Sequence, residues 1–191
     1  MKNTHVCKIL DIPEIQTDHY YLTAMKESYA SQMFSFLGDR ETMKFLTPHP
    51  PESVSEVTET IRESLKGLQD QKEIPWVIKE KSTDRIIGMF RLHKLNFWHK
   101  KTEMGVVISR EFQKRGVMTE LMPEILSFCF NELELNRVVG DIFAENQGSR
   151  KLLLGEGFRE EGTLRQTDFD GERYHDTVVF SLLKAEYYKR M

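Results

Sequence analysis

Between Ile74 and Ser109 the chain carries three strand-like segments in close succession, and this run constrains the fold more than any other feature. IPWVIKE and RIIGMFRLHKL are parted by the turn KSTD, and TEMGVVIS is the third. Strands joined so closely must pair antiparallel, because a parallel crossover needs a dozen or more connecting residues. The next segment has a different period. From Lys114 to Leu135 the apolar residues Val117, Leu121, Ile125, Cys129 and Leu133 form one helical stripe. Pro123 lies inside it and removes the amide bond back to Thr119, which predicts a bend or a loosened first half. NRVVGDIFAE then reads as a central strand covered on both faces, since VVGDIFA shows little alternation.

Elements on either side extend the pattern. DHYYLTAM is a strand and KESYASQMFSFLGD a helix, with RETMKFL a further short helical stretch closed by TPHPP. SEVTETIRESLKGLQ is helical, with Ser53 or Ser55 as its cap. QGSRKLLLGE is a short helix, and REEGTLRQTDF pairs with ERYHDTVVFSLL through the hairpin signal DGE. The order β-α-α-β-β-β-α-β-α-β-β predicts an α+β domain with one mixed, mostly antiparallel, seven-stranded sheet flanked by helices. The boundaries read as a tail at 1–14, one domain at 15–185 and a tail at 186–191, with no internal repeat or linker.

Bulk properties exclude several classes. A chain of 191 residues suits one domain with a substantial core. With 39% hydrophobic and 30% charged residues it resembles an ordinary globular protein rather than a disordered one. A net charge of −3 gives no basic surplus for direct nucleic-acid binding. No apolar run approaches the roughly 20 residues of a membrane span, and MKNTHVCKILDIPEIQ lacks a cleavage site of the secretory kind. The two cysteines, Cys7 and Cys129, are far apart, so a reduced cytoplasmic setting is expected, with Cys129 a buried inert thiol. No metal-ligand spacing is present.

Two segments carry chemistry. In SREFQKRGVMTELM the chain turns from strand to helix through Gln113, Lys114, Arg115, Gly116, Val117, Met118 and Thr119. A helix start leaves backbone N–H groups unpaired and partly positive, and a glycine lets a ligand approach them, so the segment suits a phosphate. It is neither GxGxxG nor a Walker loop, which argues against dinucleotide and nucleoside-triphosphate enzymes. The second segment is NQGSRKLLLGEGF, where Asn146 caps a helix, Ser149 lies in its first turn and Gly157-Phe158 closes it.

Together these segments resemble the GCN5-related N-acetyltransferase (GNAT) superfamily, in its RimJ/RimL-like branch. Gln113 to Met118 is similar to the motif Gln/Arg-x-x-Gly-x-Gly/Ala, and Asn146, Ser149, Gly157 and Phe158 to the second motif of that branch, as is LELNRV before the following strand. The resemblance spans residues of about 15 to 185. It implies acetyl-CoA as acetyl donor, with its pantetheine arm along the backbone of Val106, Val107 and Ile108. The pyrophosphate would lie on the amides of 113–119, and Asn146 and Ser149 near the thioester. Two positions depart from the pattern: Met118 stands where Gly or Ala is usual, and Leu153 where many members carry a tyrosine that protonates the leaving thiolate. In this branch a serine at the position of Ser149 is the substitute.

The resemblance also implies Glu103 as general base, acting through water, with His93, His99 and Asp141 in reserve. Direct transfer needs an uncharged amine. An α-amine titrates at about 7.7–8.0 and lysine at about 10.4, so the former needs less help from its surroundings. A thiolate leaving at about 8.5 needs no strong acid. The acceptor implied is a primary amine, foremost the α-amine of a protein N-terminus of ribosomal-protein type. A small molecule such as an antibiotic or polyamine, or a non-catalytic acyl-CoA-binding domain, stays open. FLTPHPP, HKLNFWHK and TDFDGERYH, with Phe97, Trp98 and Tyr174, are read as lining the amine side. LLKAEYYKRM is read as a C-terminal helix, with a homodimer contact left open.

Overall fold

The antiparallel run read between residues 74 and 109 is the middle of one sheet in the computed structural model, which describes residues 9 and 11–190. Its strands are β1 (Ile15–Gln16), β2 (Tyr20–Ala24), β3 (Ile74–Glu80), β4 (Ile86–Asn96), β5 (Lys101–Ile108), β6 (Arg137–Phe143), β7 (Arg159–Phe169) and β8 (Tyr174–Leu183). They lie in the order β1-β2-β3-β4-β5-β6-β8-β7. Every pairing is antiparallel except β5 with β6. The count is eight rather than the seven expected. The extra strand is β1, a two-residue pairing of Ile15 with Leu22 and Gln16 with Tyr21, too short to show a period of two. Of the expected first tail, Cys7 lies outside the described residues. Ile9 and Pro13 are tied to the body by Gln71 and the Trp76 indole, each at 2.7 Å.

The helices are α1 (Ala30–Leu37), α2 (Arg40–Met43), α3 (Val54–Gln69), α4 (Val117–Ser127), α5 (Gln147–Gly155) and α6 (Lys184–Tyr188). Alternation along the strands divides the core in two. Val77, Met89 and Val107 face α1 and α3, meeting Met33, Phe36, Val57 and Ile61. Trp76, Phe90, Leu92, Val138 and Phe180 face the other way, toward α4, and pack with Leu121, Ile125 and Leu153. Ser53 is the cap of α3, its hydroxyl accepting from the Glu56 amide at 3.2 Å.

The helix expected from Lys114 to Leu135 is α4 followed by a π-turn at Phe128–Glu132, where Leu133 donates to the Phe128 carbonyl at 3.0 Å. The irregularity therefore lies after Pro123, not in the first half, where 117–127 is regular α-helix. The stripe explains it. Five apolar residues spaced by four drift around a helix of 3.6 residues per turn, and one widened turn takes up the surplus. All five are thereby buried, from Cys129 at 0% exposed to Leu133 at 6%.

Candidate active site

β5 and β6 lie side by side for only three register pairs, Lys101 with Arg137, Thr102 with Val138 and Glu103 with Val139. Beyond them β5 stays on β4 as far as Ile108, while β6 stays on β8 as far as Phe143. The two central strands part, and a cleft of about 510 Å³ opens between them. Ser109 donates to Ile87 at 2.8 Å, which sets the phase of the β4–β5 ladder. Residues 103, 105 and 107 thus bond toward β4, while the N–H and C=O groups of Met104, Val106 and Ile108 point to the parting edge. All three residues expected along an extended arm line the cleft, Val106 and Ile108 turning their backbone groups to the gap and Val107 turning its own toward β4. Met104, which sequence reasoning missed, joins them. The Ile108 carbonyl is already taken by the Gln113 side chain at 3.0 Å, so Gln113 ties the following loop to the strand end.

That loop is bent by two left-handed residues, Lys114 (φ 60°) and Gly116 (φ 80°). Gly116 is the N-cap of α4, and a Cβ there would meet nothing within 4 Å, so the surface above it is open. The first helical amide to find a carbonyl is that of Glu120, on Gly116 at 3.0 Å. The amides of Lys114, Arg115, Gly116, Val117, Met118 and Thr119 precede it at the positive end of the helix. Met118 directs its side chain into the main core at 8% exposed and leaves its backbone on the cleft wall. Arg115 lies over the Phe112 ring at 5.3 Å, and Lys114 and Thr119 are exposed.

On the opposite wall Asn146 caps α5 by accepting from the Ser149 amide at 3.1 Å, which leaves the half-buried Ser149 hydroxyl to the cleft. Leu153 is 3% exposed and packs under Gly140, where a Cβ would meet its methyl carbons at 3.1 and 3.2 Å. Leu153 is therefore a floor residue, and Gly140 the bare spot that lets α5 approach β6.

At the paired end stands Glu103, opposite His93 on β4 and beside Val139 on β6. Its carboxylate pairs with Lys94 at 2.7 Å and is 24% exposed. Strand alternation alone would turn Lys94 to the other face. A bulge between His93 and Asn96, with Lys94 at φ 49°, brings it round. Burial, helped by the Arg91 charge, holds the half-buried His93 imidazole down to about 4, so it is neutral at pH 7. Asp141 lines the cleft two residues beyond Val139, and burial followed by the charge of Glu103 raises its carboxyl above the usual range.

The loops expected on the amine side separate. Phe45 and Leu46, at the end of α2, line the cleft. Phe97 packs on the main core and Trp98 is 83% exposed at the β4–β5 turn, which precedes the paired end rather than the open one. His99 is exposed beside it. Tyr174 packs on Phe169 with tilted rings 4.9 Å apart at the β7–β8 hairpin, and TDF and YH are strand ends rather than loop. Cys129 is fully buried and its thiol is pushed up by burial, which leaves it inert. No group of three or more metal-ligating side chains occurs among the described residues, and no described helix is long and apolar enough to cross a membrane.

Comparison with known proteins gives this geometry a context. Residues 19–159 match the family model described as "Acetyltransferase (GNAT) domain". The chain is 28% identical to the uncharacterized N-acetyltransferase YoaA of Bacillus subtilis, over 90% of this chain and 97% of that protein. It is 21% identical to the ribosomal-protein-serine acetyltransferase of Escherichia coli, over 84% and 90%. The crystal structure of spermidine N-acetyltransferase from Vibrio cholerae, in complex with CoA and spermine, superposes with a TM-score of 0.79. That protein is 25% identical, and the match covers 88% of this chain and 98% of the other.

Proposed function

The chain belongs to the GNAT acetyltransferase family and is an N-acetyltransferase of that type, and from this premise we propose that it moves an acetyl group directly from acetyl-CoA to the α-amine of a protein N-terminus. The observation that carries the donor side is the parted β5–β6 edge ending on the six amides of 114–119. These residues fit the group. A pyrophosphate needs N–H donors at a helix start, and the open surface over Gly116 admits it. An amide-bearing arm pairs with the backbone of Val106, beyond the last β5–β6 pair, as an added strand does. Lys114 and Arg115 add positive charge. Asn146 holds the turn that brings Ser149 to the cleft.

Acetyl-CoA supplies an activated thioester. The protein's part is to deprotonate and orient. Glu103 accepts a proton from the incoming ammonium through water, giving the neutral amine that attacks. The C–N bond forms and the C–S bond breaks, the nitrogen sheds its second proton to the leaving thiolate, and the Ser149 hydroxyl donates a hydrogen bond to that sulfur. No nucleophilic side chain is needed, in keeping with a buried, inert Cys129.

A protein N-terminus is favoured because its amine is far easier to neutralise near pH 7 than an aliphatic side-chain amine. The similarity to the E. coli ribosomal-protein-serine acetyltransferase supports it. A second reading, a polyamine acceptor, is supported by the Vibrio cholerae relative and by the Asp141 carboxylate on the cleft wall. Incubation with acetyl-CoA and either an N-terminal peptide or spermidine, followed by thiol release and mass analysis, separates the two. Acetylation of the peptide α-amine is expected. Spermidine turnover without peptide turnover would establish the second reading, and no turnover of either sinks both.

A further inference from the structure

Asp141 is the only charged residue between Val138 and Phe143, in a central strand whose members after Arg137 are otherwise apolar or glycine. Aspartate is depleted in strands because a short charged side chain packs poorly there. The cations near it are committed to other partners. Lys94 and Arg137, the two whose charge acts on it, are bonded elsewhere, Lys94 to Glu103 at 2.7 Å and Arg137 to Glu161 at 2.9 Å. Arg91, on the same face, is turned to Glu73.

The surroundings give this carboxylate a role. Asp141 shares a sheet face with Glu103, because Glu103 registers with Val139 and residues two apart point the same way. Across the gap stands Gly105, also in the cleft wall, which has no side chain to fill the space. A Cβ there would be in ordinary contact with the Arg91 Nε at 3.4 Å and the His93 Nε2 at 3.7 Å, the two side chains that flank this corner. The corner is thus bounded by two carboxylates, one of which has no cation among the described residues, at the paired end of the cleft where β5 and β6 begin to part.

We infer that Asp141 is the positioning residue that receives the acceptor's amine as its ammonium ion and presents it to Glu103. This rests on the acetyltransferase reading above. The raised Asp141 carboxyl is in keeping with it, since burial and the Glu103 charge disfavour a second anion until a cation arrives. The acceptor class follows: amines that are protonated at neutral pH, whose entry a bare carboxylate favours.

The test is steady-state kinetics with an N-terminal peptide at pH 7 on the wild type, Asp141→Asn and Asp141→Glu. Asp141→Asn is expected to raise the peptide KM about ten-fold, the scale of one charge-assisted hydrogen bond. Its acetyl-CoA KM and kcat should stay within about two-fold, and Asp141→Glu should recover part of the loss. A competing peptide whose α-amine is replaced by hydroxyl should inhibit all three proteins equally, which a general distortion of the cleft would not allow. A peptide KM unchanged in Asp141→Asn, or one that rises together with the acetyl-CoA KM, overturns the inference and leaves the acetyltransferase reading standing. A wild type that acetylates no amine overturns both.

Discussion

At the α4 end of the cleft the groups that face the gap are backbone: the amides of 114–119 and the edge at Val106, beyond the last β5–β6 pair. At the paired end stand side chains gathered from three strands, Asp141 on the cleft wall and Glu103, His93 and Lys94 beside it. The first wall is fixed by two left-handed residues and a helix start, so its chemistry survives most substitutions that keep the backbone. The second depends on which side chain each position carries, so single isosteric changes can abolish it. One wall suits a donor common to a whole family, the other an acceptor that varies.

The largest effect that tests this contrast is expected at Glu103. Glu103→Gln keeps the size of the side chain and removes its basicity, so kcat should fall by about 10²–10⁴, the usual contribution of a general base. CoA binding measured by calorimetry should be unchanged. A variant with wild-type turnover would remove Glu103 from the mechanism and leave the side-chain wall without its base.

The backbone wall is tested at Gly116. A valine would have to adopt φ 80°, which costs on the order of 1–3 kcal/mol for a side-chain-bearing residue, and more for a β-branched one. Because the helix start carries the strain, CoA affinity should drop about ten-fold or more, at roughly 1.4 kcal/mol per decade. Lys114→Ala should shift affinity much less, and mainly at low salt. If calorimetry found equal losses for the two, side-chain charge rather than backbone would hold the anion.

The same contrast explains what was legible in the sequence. Backbone features leave local signs: β3 and β7 occupy the predicted segments, and Ser53, one of two candidates, and Asn146 cap their helices. Gly116, read as the point of close approach, is the left-handed N-cap of a helix that starts three residues later than expected. Features set by tertiary contact left none. The two residues of β1 have no period. The bulge that swings Lys94 onto Glu103 follows from mismatched strand lengths, and the π-turn from packing a drifting stripe on a sheet. Asp141 was visible as a residue, but its exposure was not. An apolar strand predicts cover on both faces, whereas the parting of β5 and β6 leaves one face open there. Met104 was missed because strand phase decides which backbone faces the gap.

Ser149 should show a smaller effect. Its amide serves the α5 cap whatever the side chain, so Ser149→Ala should leave thermal stability and CoA binding near wild type. If the hydroxyl assists the leaving thiolate, kcat should drop by several-fold, about one neutral hydrogen bond. Because a thiolate leaves readily, the loss should be well below that of Glu103→Gln. Equal kcat losses in the two variants would require a stronger acid than the contrast allows.

The smallest effect lies where the β7–β8 hairpin is pinned beside the second motif. His175 is buried at 7% exposed, stacked flat on Phe143 at 4.9 Å, and bonded to Asp170 at 2.5 Å and to Glu145 at 3.3 Å. Glu145 directly precedes Asn146, so this contact braces the turn that carries the α5 cap. The Asp170 hydrogen bond, partly offset by burial, raises the imidazole above its ordinary 6.5. A group whose folded pKa is raised gives stability that is fully present below the unfolded value and lost as pH rises through the folded one. His175→Gln should therefore lower the Tm by a few degrees at pH 6 and by less at pH 9, with the gap closing above pH 6.5. A gap of the same size at both pH values would make the contact one of packing against Phe143 alone. Because the brace lies outside both walls, kcat should not follow the Tm, and a parallel loss of kcat would mean that the backbone wall leans on this hairpin.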